Sequence, residues 1–191
     1  MKHIAVFASG TGTNAENLIR HFRKHPHCRV NLVLCNKPGA GVLDRAARLG
    51  VKSMVFTRQD LYETGRVLNL LKEHRVDFIV LAGFLWLIPQ PVLEAFPGRI
   101  INIHPALLPA YGGKGMYGRR VHEAVINNRD KKSGVTVHLV NEEYDAGNIL
   151  FQEECDVLPG DTPDTLAERV HQLEYEYYPR VVEDWISQQE A

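Results

Sequence analysis

The stretch Arg99-Ile-Ile-Asn-Ile-His-Pro-Ala-Leu-Leu-Pro109 predicts a buried strand with two polar side chains at its end. Its isoleucines are β-branched, and such residues favour a crowded, pleated sheet. Alternate side chains of a strand point to the same face, so Asn102 and His104 should emerge together. Pro105 cannot donate to a neighbouring strand, so the strand should end at His104. Ligands of open α/β sheets bind at the carboxyl ends of the strands, which makes this edge the candidate active site.

An amide beside an imidazole suits chemistry at a carbonyl group. Asn102 offers a neutral hydrogen-bond donor for a developing oxyanion, and His104 offers a group that exchanges a proton near neutral pH. The same pair on a strand also occurs as a hydrogen-bonded structural pair. The two residues alone therefore leave both interpretations open.

The chain on both sides of this stretch alternates between apolar runs and helical patterns. Strands are predicted at residues 4–8, 30–35, 52–56 and 78–82, the first and the last of them buried, and helical patterns follow each of them. Residues 134–140 alternate between apolar and polar side chains, which is typical of an antiparallel or edge strand. We therefore predict an α/β fold with a Rossmann-like, doubly wound, mostly parallel sheet and an antiparallel C-terminal extension.

Length and composition set the class of protein. The 191 residues predict one domain, with halves of about 1–100 and 100–191. A net charge of -1 gives no general signature of nucleic-acid or membrane binding, and no apolar segment approaches a membrane span. Three cysteines are too few for a disulfide framework or a cysteine-rich zinc site. We expect a soluble cytoplasmic protein that is a monomer or a weak homodimer.

A glycine-containing turn follows the first strand. Residues 9–14 read Ser-Gly-Thr-Gly-Thr-Asn and lead into a helical pattern, an arrangement that favours an anion at the helix start. A dinucleotide enzyme would carry an acidic residue at the end of its second strand to hold a ribose. Here Asn36 and Lys37 stand at that point. A single phosphate is therefore favoured over a dinucleotide.

The run Asn102-Ile-His104-Pro-Ala-Leu-Leu-Pro109 resembles the signature of the formyltetrahydrofolate-dependent formyltransferases. The continuation at residues 111–118 and the later Asp145 strengthen the resemblance, which runs nearly end to end. It implies transfer of a formyl group from 10-formyltetrahydrofolate, a cosubstrate, to the amine of phosphoribosylglycinamide in de novo purine synthesis. It implies no metal, and it favours a cis peptide bond between Leu108 and Pro109.

The resemblance also implies roles for individual residues. The catalytic residues would be Asn102, His104 and Asp145. The glycinamide ribotide would be bound by Gly12, Thr13, Asn14 and Glu174. The folate would be bound by Arg58, Leu85, Trp86, Leu87, Ile88, Asn102, Val140, Asn141 and Asp145.

The charge of Asp145 predicts a shift in the pKa of the His104 imidazole. A carboxylate favours the imidazolium form, so Asp145 should raise the pKa of His104. His138 also matches a recurrent histidine of the family, and we expect a structural, hydrogen-bonded role for it.

Three other functions compete with this interpretation. A methionyl-tRNA formyltransferase should carry a basic C-terminal module, and a formyltetrahydrofolate hydrolase should carry an N-terminal regulatory domain. Neither is expected from these 191 residues. The third alternative is a non-catalytic nucleotide-binding module, in which replacing Asn102, His104 or Asp145 would not affect activity.

Overall fold

The structure is a computed structural model that describes residues 1–189. The chain divides after Ile101 into two compact units. The first unit runs from Met1 to Ile101, and the second begins at Asn102. Strand β5 (Ile100–His104) starts in the first unit and ends in the second. It is the strand that the stretch at residues 99–109 predicts.

The first unit alternates strands with helices, as the apolar runs predicted. Its elements are β1 (Lys2–Ala8), α1 (Thr13–Phe22), β2 (Cys28–Cys35), α2 (Gly41–Arg48), β3 (Lys52–Val55), α3 (Arg58–Tyr62), α4 (Arg66–Glu73), β4 (Phe78–Leu81) and α5 (Gln90–Ala95). Strand β1 pairs in parallel with β2 and with β4, and β2 pairs in parallel with β3. These four strands therefore lie in the order β3-β2-β1-β4.

The centre of this sheet forms the core of the first unit. The five residues from Ile4 to Ala8 are 0% exposed, and β4 is buried along its whole length. Phe7 packs edge-on against two more aromatic rings, those of Phe56 and Phe84, with centroids 5.9 and 5.3 Å away. Parallel strands that are covered on both faces read as continuous apolar runs, which explains why the sequence locates them.

The segment after β3 differs in one respect from its sequence pattern, which predicts one helix from Thr57 to about His74. The start is confirmed, because Thr57 and Asp60 form a capping box. The helix is nevertheless divided in two, and Gly65 lies between α3 and α4 with a φ of 67°. A residue in the left-handed region cannot continue a right-handed helix, so the chain restarts at Arg66.

The second unit contains α6 (Arg119–Asn127), β6 (Lys132–Leu139), β7 (Ile149–Asp156) and α7 (Pro163–Gln188). Strands β6 and β7 pair antiparallel, with Lys132 opposite Asp156 and Val137 opposite Phe151. Gly134 permits this close pairing, since a Cβ there would collide with the Glu153 carbonyl. The predicted fold class is confirmed: parallel strands alternate with helices first, and an antiparallel pair follows.

Thr162 followed by Pro163 predicts a helix start, and Pro179 predicts a kink or a break before Val181. The start is confirmed, because α7 has Thr162 as its N-cap and Pro163 in its first turn. The helix does not break at Pro179, because α7 continues to Gln188. The residues Leu166, Val170, Tyr178, Val182 and Trp185 are buried along its length. This burial on both sides of Pro179 outweighs the one backbone hydrogen bond that a proline removes.

Candidate active site

Three polar side chains meet at the carboxyl end of β5, all within the second unit. The Asn102 amide nitrogen lies 3.5 Å from Oδ1 of Asp145. Nδ1 of His104 lies 3.5 Å from Oδ2 of the same carboxylate. His104 is 4% exposed, so this cluster is largely withdrawn from solvent. The structure thus brings together the three residues that the sequence resemblance implied to be catalytic.

The Asp145 carboxylate is fixed by the backbone around it. Asp145 follows β6 and has a φ of 54°, a left-handed conformation that aspartate tolerates better than most residues. Its Oδ2 accepts a hydrogen bond of 2.9 Å from the Gly113 backbone N–H. The neighbouring Gly112 has no room for a Cβ, which would meet the side chains of Leu108 and Asp145. The glycine loop therefore packs directly against the carboxylate.

His138 is a fourth member of this cluster, which sequence reasoning had expected to be only structural. Its Nδ1 lies 2.8 Å from the Leu139 carbonyl, which can only accept, so Nδ1 carries the proton. In the neutral ring Nε2 is then an acceptor, and it lies 3.2 Å from the Asn102 amide nitrogen. His138 Nε2 is also 3.6 Å from Asp145. The alternation of β6 placed His138 on a polar face but gave no sign of these partners.

Asp145 raises the pKa of His104, as predicted, but the net shift of that pKa is downward. Burial is the largest influence and lowers the pKa of His104 below its ordinary value. Asp145 acts in the predicted direction, as does the hydrogen bond to the Tyr111 carbonyl, but neither compensates for the burial. His104 is therefore a neutral base at neutral pH, beside a carboxylate that would stabilise the imidazolium once a proton arrives.

Asp145 itself remains ionised in this environment. Burial acts to raise the pKa of its carboxyl group. The neighbouring imidazoles of His138 and His104 and the Gly113 N–H act in the opposite direction and together lower the pKa. A neutral imidazole beside a permanent carboxylate is a pair in which one member accepts a proton and the other stabilises the resulting charge.

Glu174, which is implied to bind a ribose, lies on α7 and is only 5% exposed. Its Oε2 lies 2.9 Å from Nδ1 of His171, and this hydrogen bond raises the pKa of His171. The buried His122 of α6 is also part of this region of the second unit, because its pKa is affected by the charges of His171 and Glu174. The glutamate is thus a buried side chain that shares a hydrogen bond with an imidazole, and its carboxyl oxygens are suited to accepting hydrogen bonds from hydroxyl groups.

The residues implied to bind the phosphate lie at the start of α1, in the first unit. Gly12 is the N-cap, with a φ of 78°, and no side chain caps the helix. A Cβ at Gly12 would collide with Val42, so the turn requires glycine. Thr13 and Asn14 form the first turn of the helix. Backbone N–H groups and the positive end of the helix dipole make this turn suitable for a phosphate.

Of the residues implied to bind the folate, Arg58 and residues 85–88 lie on two segments of the first unit. Leu85 is 40% exposed, while Ile88 is buried. The Arg58 guanidinium stacks on the rings of Tyr62 and Trp86, at 5.0 and 5.5 Å from their centroids. The Tyr62 hydroxyl donates to the Leu87 carbonyl over 2.8 Å. The structure therefore brings Arg58 together with the segment at residues 85–88.

The remaining implied folate contacts follow β6 in the second unit. Val140 and Asn141 are half-buried, and the Asn141 side chain accepts a hydrogen bond from the Glu143 backbone N–H. They stand on the same loop as Asp145. The Leu108–Pro109 peptide bond is cis, as the resemblance favoured.

Two features of the described residues bear on metal binding and on membranes. Within residues 1–189, no three histidine, cysteine, aspartate or glutamate side chains are grouped so that they could hold a metal ion. No helix in that range is both long and apolar enough to cross a membrane.

Comparison with known proteins gives consistent matches. A family model described as formyl transferase matches residues 2–182. The chain is 43% identical to the chloroplastic phosphoribosylglycinamide formyltransferase of Arabidopsis thaliana, covering 95% of this chain and 64% of that protein. It is 37% identical to phosphoribosylglycinamide formyltransferase of Bacillus subtilis, covering 95% of this chain and 93% of that protein. The chain thus spans slightly less than two thirds of the plant relative and nearly all of the bacterial one.

A solved structure is similar over the same extent. The crystal structure of phosphoribosylglycinamide formyltransferase from Bacillus halodurans superposes with a TM-score of 0.87 at 36% sequence identity. The match covers 98% of this chain and 97% of that chain. The likeness therefore includes the elements that carry Asn102, His104 and Asp145.

Proposed function

This chain belongs to the formyl transferase family, and from that premise we propose that it transfers a formyl group from 10-formyltetrahydrofolate to the amine of phosphoribosylglycinamide. This reaction is a step of de novo purine biosynthesis. The observation that carries the proposal is the convergence of Asn102, His104 and Asp145 within one buried cluster. The names of the two relatives above indicate the acceptor, phosphoribosylglycinamide, and the group that is transferred, a formyl group.

Asn102 stabilises the charge that develops on the formyl oxygen. When the neutral amine attacks the formyl carbon, the carbonyl oxygen becomes an oxyanion that needs hydrogen-bond donors. The Asn102 amide has two N–H groups, one directed at His138 and the other towards Asp145. An incoming oxyanion competes for the second of these donors, because its contact of 3.5 Å with Asp145 is long.

His104 moves the proton. It accepts the proton that the amine loses on forming the new carbon–nitrogen bond, and it returns that proton to N10 of the folate as the old bond breaks. Asp145 stabilises the imidazolium between these steps from a distance of 3.5 Å. The proton returned to N10 leaves His104 neutral, so the enzyme ends in the state in which it began.

Each substrate is assigned to the residues that the resemblance implied for it. For phosphoribosylglycinamide we assign Gly12, Thr13 and Asn14 to the phosphate and Glu174 to the ribose hydroxyl groups. The flat pterin of the folate suits the apolar residues Leu85, Leu87 and Ile88, with Arg58 and Trp86 beside them and Val140, Asn141 and Asp145 as further contacts. The folate acts as a cosubstrate, and the proposed steps use no metal.

The proposed biological setting is that of purine synthesis. The partners are the two small-molecule substrates, with no role for nucleic acid or a membrane. We propose a cytoplasmic protein that acts as a monomer or a weak homodimer, within one formyltransferase domain.

The test follows release of the deformylated folate by absorbance, with and without phosphoribosylglycinamide. Release that requires the glycinamide and yields formylated product supports the proposal. Release in its absence indicates a hydrolase instead. No release in either condition, from a protein that unfolds cooperatively, contradicts catalysis of this reaction.

A further inference from the structure

The loop that follows the cis proline holds His104 through its backbone. Nε2 of His104 lies 2.7 Å from the main-chain carbonyl of Tyr111. A carbonyl oxygen can only accept a hydrogen bond, so Nε2 must carry a proton. In the neutral imidazole, Nδ1 is then the unprotonated nitrogen, and it is the one that faces Asp145. The Tyr111 carbonyl therefore selects one of the two tautomers of His104.

This carbonyl occupies an unusual backbone position. Tyr111 has a φ of 57°, which is unfavourable for a residue with a bulky side chain. Such a conformation persists only where surrounding contacts hold it in place. Two residues further on, Gly113 donates its N–H to Asp145. One short segment thus orients both the imidazole and the carboxylate of the cluster.

The Tyr111 side chain supplies the contacts that hold this backbone. Its hydroxyl donates to Asp130 and accepts a hydrogen bond of 2.9 Å from the Asn128 amide. Asn128 also donates to Asp130, over 3.0 Å, so the two residues that hold the phenol are themselves connected. Both follow the end of α6 and precede β6. The anchor is therefore made by residues that lie outside the loop carrying the Tyr111 carbonyl.

We propose that Tyr111 is a positioning residue, whose phenol is anchored by Asp130 and Asn128 and whose carbonyl holds the Nε2–H tautomer of His104, so that Nδ1 is the nitrogen that exchanges the proton. The catalytic part of this inference rests on the proposed formyl transfer, whereas the tautomer does not. The amine proton passes to Nδ1 as the new carbon–nitrogen bond forms. It passes from Nδ1 to N10 as that leaving group takes the electron pair of the breaking bond.

The charged and titratable groups around His104 are compatible with this assignment. Asp145 faces it from the loop after β6, His138 from β6 and Glu174 from α7, and His122 of α6 is electrostatically coupled to it. Of these, Asp145 has its carboxylate 3.5 Å from Nδ1. A proton on Nδ1 is thus stabilised by a carboxylate, while the Tyr111 carbonyl keeps the proton on Nε2.

The test is ¹⁵N NMR of the ligand-free protein labelled in histidine, with the His104 signals identified by their loss in His104→Gln. We expect the wild type to show a protonated Nε2 and an unprotonated Nδ1 at neutral pH. Tyr111→Phe removes only the anchoring hydroxyl and should give a mixture of both tautomers. Tyr117→Phe removes an exposed hydroxyl from the same loop and should leave the tautomer as in the wild type.

Kinetics separate positioning from a purely structural role. Tyr111→Phe should lower kcat by about 10- to 100-fold with little change in KM, since misplacing a catalytic group acts on the reacting state. Asp130→Ala should act in the same direction and serves as the second variant if Tyr111→Phe does not fold. An Nδ1–H tautomer in the wild type, or an unchanged tautomer in both folded variants, would overturn the inference. A wild type with the expected tautomer but no transfer would overturn the proposed function and leave the tautomer assignment standing.

Discussion

His122 should make the stability of this protein fall as the pH is lowered. Its side chain is 2% exposed, and its Nδ1 has no hydrogen-bond partner among the described residues. Burial lowers the pKa of His122 from 6.5 to about 4, and the nearby charge of His171 adds to the effect. Glu174 acts in the opposite direction and His104 in the same one. The folded protein therefore keeps this imidazole neutral.

The sign and size of the change in unfolding free energy follow from the pKa of His122 in the unfolded and folded states. The unfolded chain binds a proton at an ordinary pKa of 6.5, whereas the folded chain resists it until the pH nears about 4. Stability from the neutral imidazole is thus fully present above pH 6.5 and is lost as the pH falls towards the folded pKa. Between pH 7 and pH 5, the unfolded state alone takes up most of a proton, which corresponds to about 2 kcal/mol of unfolding free energy.

The assay is urea unfolding at pH 7 and at pH 5, monitored by circular dichroism. His122→Gln cannot take up this proton, so the loss of stability between the two pH values should be smaller than in the wild type by about 2 kcal/mol. Other titrating groups, including His104, are common to both proteins and largely cancel in the comparison. His27→Gln, at an exposed histidine, is the control and should keep the wild-type pH dependence.

An identical loss of stability in His122→Gln and in the wild type would refute this reasoning. It would mean that the His122 imidazole takes up its proton as readily in the folded protein as in the unfolded chain, so that burial between α6 and α7 carries no penalty for the charged form.

Two further predictions concern stability. Thr136→Val should lower the unfolding free energy by about 2–4 kcal/mol, because the fully buried Thr136 hydroxyl donates to the Ala106 carbonyl over 2.6 Å and accepts from the Leu108 N–H over 3.0 Å; a urea midpoint like that of the wild type would contradict this. Gly12→Ala should lower it by about 2 kcal/mol or more through its positive φ and the collision with Val42, and thermal unfolding unchanged from the wild type would show that the turn relaxes freely.

The sequence predicted most of the elements because their signals are local. Continuous apolar runs located β1 and β4, and alternation located β6. Thr57 with Asp60 three positions later located the start of α3, and Thr162 followed by Pro163 located the start of α7. The division at Gly65 and the unbroken helix at Pro179 were not predicted. In both cases the outcome depends on the backbone conformation or on tertiary packing, and neither follows from the preferences of single residues.

The candidate site shows the same division between local and distant information. Motif resemblance named Asn102, His104 and Asp145, but it could not show that His138 contacts two of them from β6. Nor could it show that the Tyr111 carbonyl holds His104. The net direction of the His104 pKa was not predicted, for a related reason. The charge of Asp145 is evident from the sequence, whereas the extent of burial that outweighs it becomes known only from the fold.

The most direct test of the central claim, that the Asn102–His104–Asp145 cluster carries the transfer, is the turnover of His104→Ala. Glycinamide-dependent folate release should fall by about 100-fold or more, which corresponds to at least about 2.7 kcal/mol of lost transition-state stabilisation. Cooperative unfolding and phosphoribosylglycinamide binding, measured by calorimetry, should remain. His27→Ala, at an exposed histidine of the first unit, should keep wild-type turnover. A His104→Ala protein that turns over like the wild type would contradict the account.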